Sequence, residues 1–192
     1  MHGRRDFKIG MAFAVASLSL STAASAGELQ LDAGLNAKAS TWRGDFGAGP
    51  QLRFGYRFAE VFTIDTAIWE EISSVDARLN TGVTFGVTGF LRFDAVRASL
   101  RLFFVHQHEE SLVSVADNPF GAIFGIGSGI RHRAGGGAVL GLEIPFDKGE
   151  DFEWVVVTGL NLTLFPDAAL GPGAYFGVSG GVGFNYALPG LP

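Results

Sequence analysis

Apolar and polar residues alternate along most of the chain. Leu29, Leu31, Ala33, Leu35, Ala37 and Ala39 are interleaved with Gln30, Asp32, Gly34, Asn36 and Lys38. The same period of two runs through residues 52–58, 62–68, 79–93, 96–104, 138–144, 154–164 and 176–186. Successive side chains of a strand point to opposite faces, so each segment is predicted to be a strand with one apolar face. Most of these segments reach the ~9–11 residues that cross a bilayer at a tilt, longer than the ~5–6 of ordinary strands.

The character of the polar face narrows the class. It is rich in Gly, Ser, Thr and Asn, with Arg53, Arg57, Arg92, Arg97 and Arg101 set among Asp32, Asp65, Glu143 and Glu153. Small residues and pairable charges suit the narrow interior of an eight-stranded barrel, and a broad aliphatic and aromatic face suits lipid. A soluble ligand-binding barrel would turn the apolar face inward. The pattern therefore predicts an all-β fold: a closed antiparallel up-and-down transmembrane β-barrel of eight strands. At that size the interior charges are expected to fill the barrel rather than line a pore.

The predicted connections alternate in length. Those at 59–60, 94–95 and 147–151 are short, and those at 41–49, 70–77, 106–134 and 165–172 are longer. Short turns at one rim and long loops at the other is the outer-membrane arrangement. An even strand count puts both termini at the short-turn rim. The segment 119–131 (PFGAIFGIGSGIR) decides the count. Read as loop, with a short helix near 120–126, it leaves eight strands; read as a strand, it points to a ten-stranded alternative.

The first 26 residues carry a different pattern. Arg4, Arg5 and Lys8 precede an apolar run of 12 residues from Ile9 to Leu20, and Ala24-Ser25-Ala26 precedes Gly27. A basic start, a short apolar run and an A-x-A site form the pattern of a cleavable secretory signal, and the run is too short to span a bilayer as a helix. Residues 1–26 are expected to be removed after export to the periplasm, leaving 27–192 as a barrel domain in a bacterial outer membrane.

Composition supports this reading and excludes others. Glycine accounts for 28 and Phe for 18 of the 192 residues, and Cys is absent. No disulfide framework or thiolate metal site is available. Net charge is −5. Removing the signal takes away three positive charges and one negative, which makes the barrel more acidic. An acidic chain is a poor nucleic-acid binder. Outer-membrane lipid, lipopolysaccharide and the barrel-insertion machinery are the expected partners of a monomer.

The run from Gly49 to Trp69 (GPQLRFGYRFAEVFTIDTAIW) resembles the second and third strands of small outer-membrane barrels of the OmpA/OmpX type. A second resemblance lies near the end of the chain. The insertion signal of outer-membrane barrels reads polar, any, Gly, any, any, aromatic, any, aromatic. Ser179, Gly181, Phe184 and Tyr186 occupy its defined positions, although residues 187–192 extend beyond the usual end. The resemblance implies that this strand is read by the insertion machinery.

Candidate chemistry is sparse. No P-loop or HExxH motif occurs, nor the His-x-Ser-Asn motif of lipid A deacylases. No catalytic residue, cofactor or resident metal is assigned. The one cluster to weigh is His106-Gln107-His108-Glu109-Glu110 with Arg131-His132-Arg133. His106 and His108 share a side of an extended chain, and Glu110 or His132 would complete a divalent-metal set. Arg131 and Arg133 are expected to brace the loop by pairing with Glu109 and Glu110. The function expected is structural or interactive, through the outer loops. A narrow channel, and an enzyme or metal-binding barrel using the 106–134 loop, are the alternatives.

Overall fold

The computed structural model describes residues 27–188, apart from 41–42, 59–60, 127–128 and 168–170. The expected signal peptide lies outside the described residues. Eight antiparallel strands form a closed barrel in sequence order. They are β1 (Glu28–Ala39), β2 (Phe46–Phe58), β3 (Phe62–Ser73), β4 (Arg78–Phe93), β5 (Val96–Ser111), β6 (Arg131–Lys148), β7 (Phe152–Leu164) and β8 (Ala174–Ala187). Between β5 and β6 lie two short helices, α1 (Leu112–Asp117) and α2 (Pro119–Phe124). The segment at 119–131 is thus not a ninth strand, and the eight-strand count holds. Pro119 cannot donate to a β ladder, and Asn118 accepts a hydrogen bond from the Gly121 N–H at 3.0 Å, capping the second helix.

Two-residue periodicity continues further than the sequence pattern had marked. The histidines and arginines at 106–108 and 131–133 were expected in a loop, but they lie on β5 and β6. Ladder pairs run on through His106↔Ala134, His108↔His132 and Glu109↔Arg131. Charge masked the alternation here, because both faces turn polar above Val105 while the backbone stays paired. The loop itself shrinks to residues 112–130. The loops after β1 and β3 are also shorter than expected, since β2 begins at Phe46 and β3 ends at Ser73, whereas the loop after β7, 165–173, is close to the expected 165–172.

The first strand begins and the last strand ends at one rim, where Glu28 pairs with Ala187. At this terminal rim β4 turns into β5 through Asp94-Ala95, with Phe93 opposite Val96. Asp94 adopts a positive φ of 37°, in keeping with the sharp reversal of a two-residue hairpin turn. The longer connections gather at the opposite, loop rim.

Outside, the wall is apolar on every strand. Leu35, Leu52, Ile64, Phe85, Leu102, Leu140, Leu160 and Val178 all point outward and are exposed. The largest exposed apolar patch of a typical soluble monomer covers only ~300–600 Å², whereas this belt encircles the barrel. Aromatic side chains border it near the terminal rim, with Trp154 4.9 Å from Phe184 and Phe184 stacked on Tyr186 at 6.5 Å. Among the described residues no helix is long and apolar enough to cross a membrane; the belt of strands has the form that a bilayer requires.

The wall closes where β1 meets β8. At the centre of this seam Gly34 pairs with Gly181, and Leu35 with Gly180. A Cβ on Gly34 would overlap the Gly180 carbonyl, and one on Gly181 would overlap the Ala33 carbonyl. The two backbones approach closely enough to require glycine on both strands.

Candidate functional site

The inner face carries the polar residues of every strand, and they meet across the barrel in layers. Nearest the terminal rim, Glu143 on β6 accepts from Arg57 at 2.8 Å, from Arg97 at 3.0 Å and from Gln30 at 2.8 Å. Arg97 also pairs with Glu153, and Arg57 with Glu28 at 3.1 Å. A polar cup of about 200 Å³ opens below this layer. One layer up, Asp65 accepts from Arg53 at 3.0 Å, Arg101 at 2.7 Å and Thr88 at 2.9 Å. Arg53 also reaches Asp32 at 3.1 Å. The alternation assigned all of these arginines and carboxylates to the interior except Glu28, and Arg92, also assigned there, is instead exposed on the lining of the terminal-rim cup. Buried ions hold their charge only when paired and hydrogen-bonded, and here Glu143 and Asp65 each answer two guanidinium groups.

The next layer was not foreseen. Trp69, Val105, Phe165 and Tyr175 form a buried apolar cluster inside the barrel, with Phe103 packed against it. The Lys38 ammonium sits 3.1 Å from the Trp69 ring centroid and 3.3 Å from Glu71. Gly82 faces Trp69 across β3 and β4, and a Cβ there would overlap the indole. Parity along each strand was the available signal: Trp69 shares its face with Asp65, and Val105 with Arg101.

At the loop rim one carboxylate gathers three arginines. Glu109 accepts from Arg78 at 2.8 Å, from Arg133 at 3.0 Å and from Arg131, with Gln107 adding a bond at 2.7 Å. Arg133 also donates to the Pro172 carbonyl at 2.6 Å and lies over the Phe165 ring. The expected bracing by Arg131 and Arg133 is therefore present on Glu109. Its sequence neighbour Glu110 faces the other way, because successive strand residues alternate sides. Arg78 was missed, having no pattern partner close in sequence.

The three histidines also turn outward. His106 and His108 follow each other on the outer face of β5, and His132 on β6 pairs directly with His108. His132 Nδ1 lies 3.3 Å from His106 Nε2. One ring nitrogen from each of the three falls within 4.8 Å of the others, and Glu110 is not part of this group. The loop between β5 and β6 carries a set of exposed apolar side chains: Val113 on α1, Phe120 and Phe124 on α2, and Ile126 just after it. Gly125 ends α2 with a positive φ of 66° and lies against the His108 ring. The helical loop thus returns onto the outside of the wall.

Ser179, Gly181, Phe184 and Tyr186 all lie on β8, with Phe184 and Tyr186 in the aromatic band on the outer surface. In the closed barrel both edges of β8 are paired, to β7 and to β1.

No family model matches the sequence, and no curated protein does. Solved structures do. The N-terminal β-barrel domain of Pseudomonas aeruginosa OprF superimposes with a TM-score of 0.55 at 14% identity, covering 84% of this chain and 98% of that one. Neisserial surface protein A matches with a TM-score of 0.54 at 13% identity, covering 84% of this chain and 97% of that one. At such identity the likeness establishes the fold alone: this chain shares the closed barrel architecture of these small outer-membrane proteins.

Proposed function

We propose that the protein is a bacterial outer-membrane barrel that serves as a closed, monomeric platform for the loops at its loop rim, and not as a pore. The observation that carries this reading is the layered interior. Ion pairs around Glu143, Asp65 and Glu109 cross the lumen at three heights, and the apolar cluster at Trp69 and Phe165 fills the space between the upper two. An eight-stranded lumen holds side chains and little more, and the pocket in its middle amounts to about 90 Å³.

With the lumen occupied, what the barrel presents is its rim. The exposed Phe120, Phe124 and Ile126 suit contact with the outer leaflet, where lipid and lipopolysaccharide are the partners at hand. The same reading takes residues 1–26 as the export signal, and Ser179, Gly181, Phe184 and Tyr186 as the residues read by the insertion machinery before β8 is closed in.

The test is electrical. The folded barrel, identified by heat-modifiable migration on a detergent gel, is placed in planar bilayers. No current steps above baseline are expected; reproducible steps from the folded species would overturn the closed-platform reading. For the rim, Phe124→Trp in brominated-lipid vesicles should add a quenched emission component. Unquenched emission would remove lipid from the loop's partners.

A further inference from the structure

We infer that the outer wall near the loop rim carries a binding site for a divalent transition-metal ion, built from the imidazoles of His106, His108 and His132. The sheet itself assembles the set. His106 and His108 are two residues apart on β5 and so share its outer face, while the β5–β6 register sets His132 directly opposite His108. No loop has to order before the three rings meet.

The spacing is that of ligands. His132 Nδ1 and His106 Nε2 are 3.3 Å apart. In a tetrahedral site with Zn–N bonds of about 2.0–2.1 Å, two ligating nitrogens lie about 3.3–3.4 Å from each other. The third ring has a nitrogen within 4.8 Å of both, so a modest side-chain rotation closes the set.

A second observation concerns His108. Its Nδ1 is buried and has no hydrogen-bond partner. Gly125 lies against this ring, and a Cβ there would overlap it. A buried polar atom without a partner calls for a physical reason, and a ring held among two other imidazoles has one in a cation.

The donor set fixes the class of ion. Three neutral imidazoles suit Zn²⁺, Cu²⁺ or Ni²⁺, whereas Mg²⁺ and Ca²⁺ take oxygen ligands. Three protein ligands leave a fourth position for water or an outside donor. Bound metal would cross-link β5 to β6 directly beneath the α1–α2 loop and hold the His108 ring under Gly125.

The probe is Zn²⁺ itself, titrated calorimetrically into tag-free, folded barrel in lipid discs at pH 7.5, with Co²⁺ absorption reporting geometry. One Zn²⁺ per chain is expected, together with the strong visible Co²⁺ bands of a tetrahedral site. His132→Gln, and His106→Gln with His108→Gln, should each weaken binding by at least ~100-fold, since even loss of a residue behind the ligands costs ~10–100-fold. These side chains face outward, so the variants should keep heat-modifiable migration. Binding should weaken as the pH is lowered, because protons compete with the metal for the ligating nitrogens. If the wild-type barrel binds no Zn²⁺, or the folded variants bind it as well as wild type, the site is refuted and the histidines are a hydrogen-bonded ring cluster only.

Discussion

Gly125 and His108 are in contact although one ends a helix and the other projects from the barrel wall. This contact ties the α1–α2 loop to the sheet. Only glycine fits: φ is 66°, in the left-handed region, and a side chain would run into the imidazole. Gly125→Val is expected to detach the loop without unfolding the barrel. Limited proteolysis should cut within 112–130 at least several times faster than in wild type, while the barrel's unfolding midpoint stays put. An unchanged cleavage rate would show that the contact does not hold the loop.

Glu143 receives two arginines in a buried layer. Glu143→Gln leaves Arg57 and Arg97 without their shared counter-charge and is expected to cost about 3–5 kcal/mol. Urea unfolding in lipid vesicles measures this. A cycle with Arg57→Met should be non-additive by at least ~0.5 kcal/mol, because the two side chains belong to one network.

Leu102 points outward at mid-strand and is 59% exposed. On a water-facing surface Leu102→Arg would change stability by less than about 0.5 kcal/mol. On a lipid-facing one it should cost about 2–4 kcal/mol. Refolding yield and unfolding midpoint in vesicles separate the two cases, and a neutral result would place this wall in water.

Gly82→Val should displace the Trp69 indole from Lys38. Overpacking of this kind costs about 1–3 kcal/mol. With Trp42 and Trp154 replaced by Phe, the emission of Trp69 alone should shift, and its near-ultraviolet dichroism should weaken.

Much of this architecture is legible in the chain because lipid and lumen impose opposite demands on neighbouring residues. Leu52, Phe54 and Tyr56 against Arg53 and Arg57 can be read as two faces without coordinates. The same rule fails where both faces become polar. His106, Gln107, His108 and Glu109 lose the contrast, so strand was read as loop. It also fails where a lumen residue is apolar. Trp69 and Tyr175 look like lipid-facing residues by type and are placed inside only by counting parity. Contacts such as Arg78 with Glu109, 31 residues apart, depend on register, which hydrophobic pattern alone does not number. The meeting of His106 and His108 with His132 depends on it in the same way.

The glycine seam between β1 and β8 has a mechanical consequence. At Gly34, Gly180 and Gly181 no side chain bridges the two strands, so there backbone hydrogen bonds alone join the first strand to the last. Other neighbouring strands are riveted through the lumen, as Arg53 does for β2 and β3 and Arg78 for β4 and β5. A joint made of backbone alone, placed where the sheet closes, offers a preferred line of tearing. Amide hydrogen exchange should therefore run faster at Gly180 and Gly181 than at Leu102 on the doubly riveted β5, and partial unfolding should begin by parting the chain's two ends rather than by opening a hairpin.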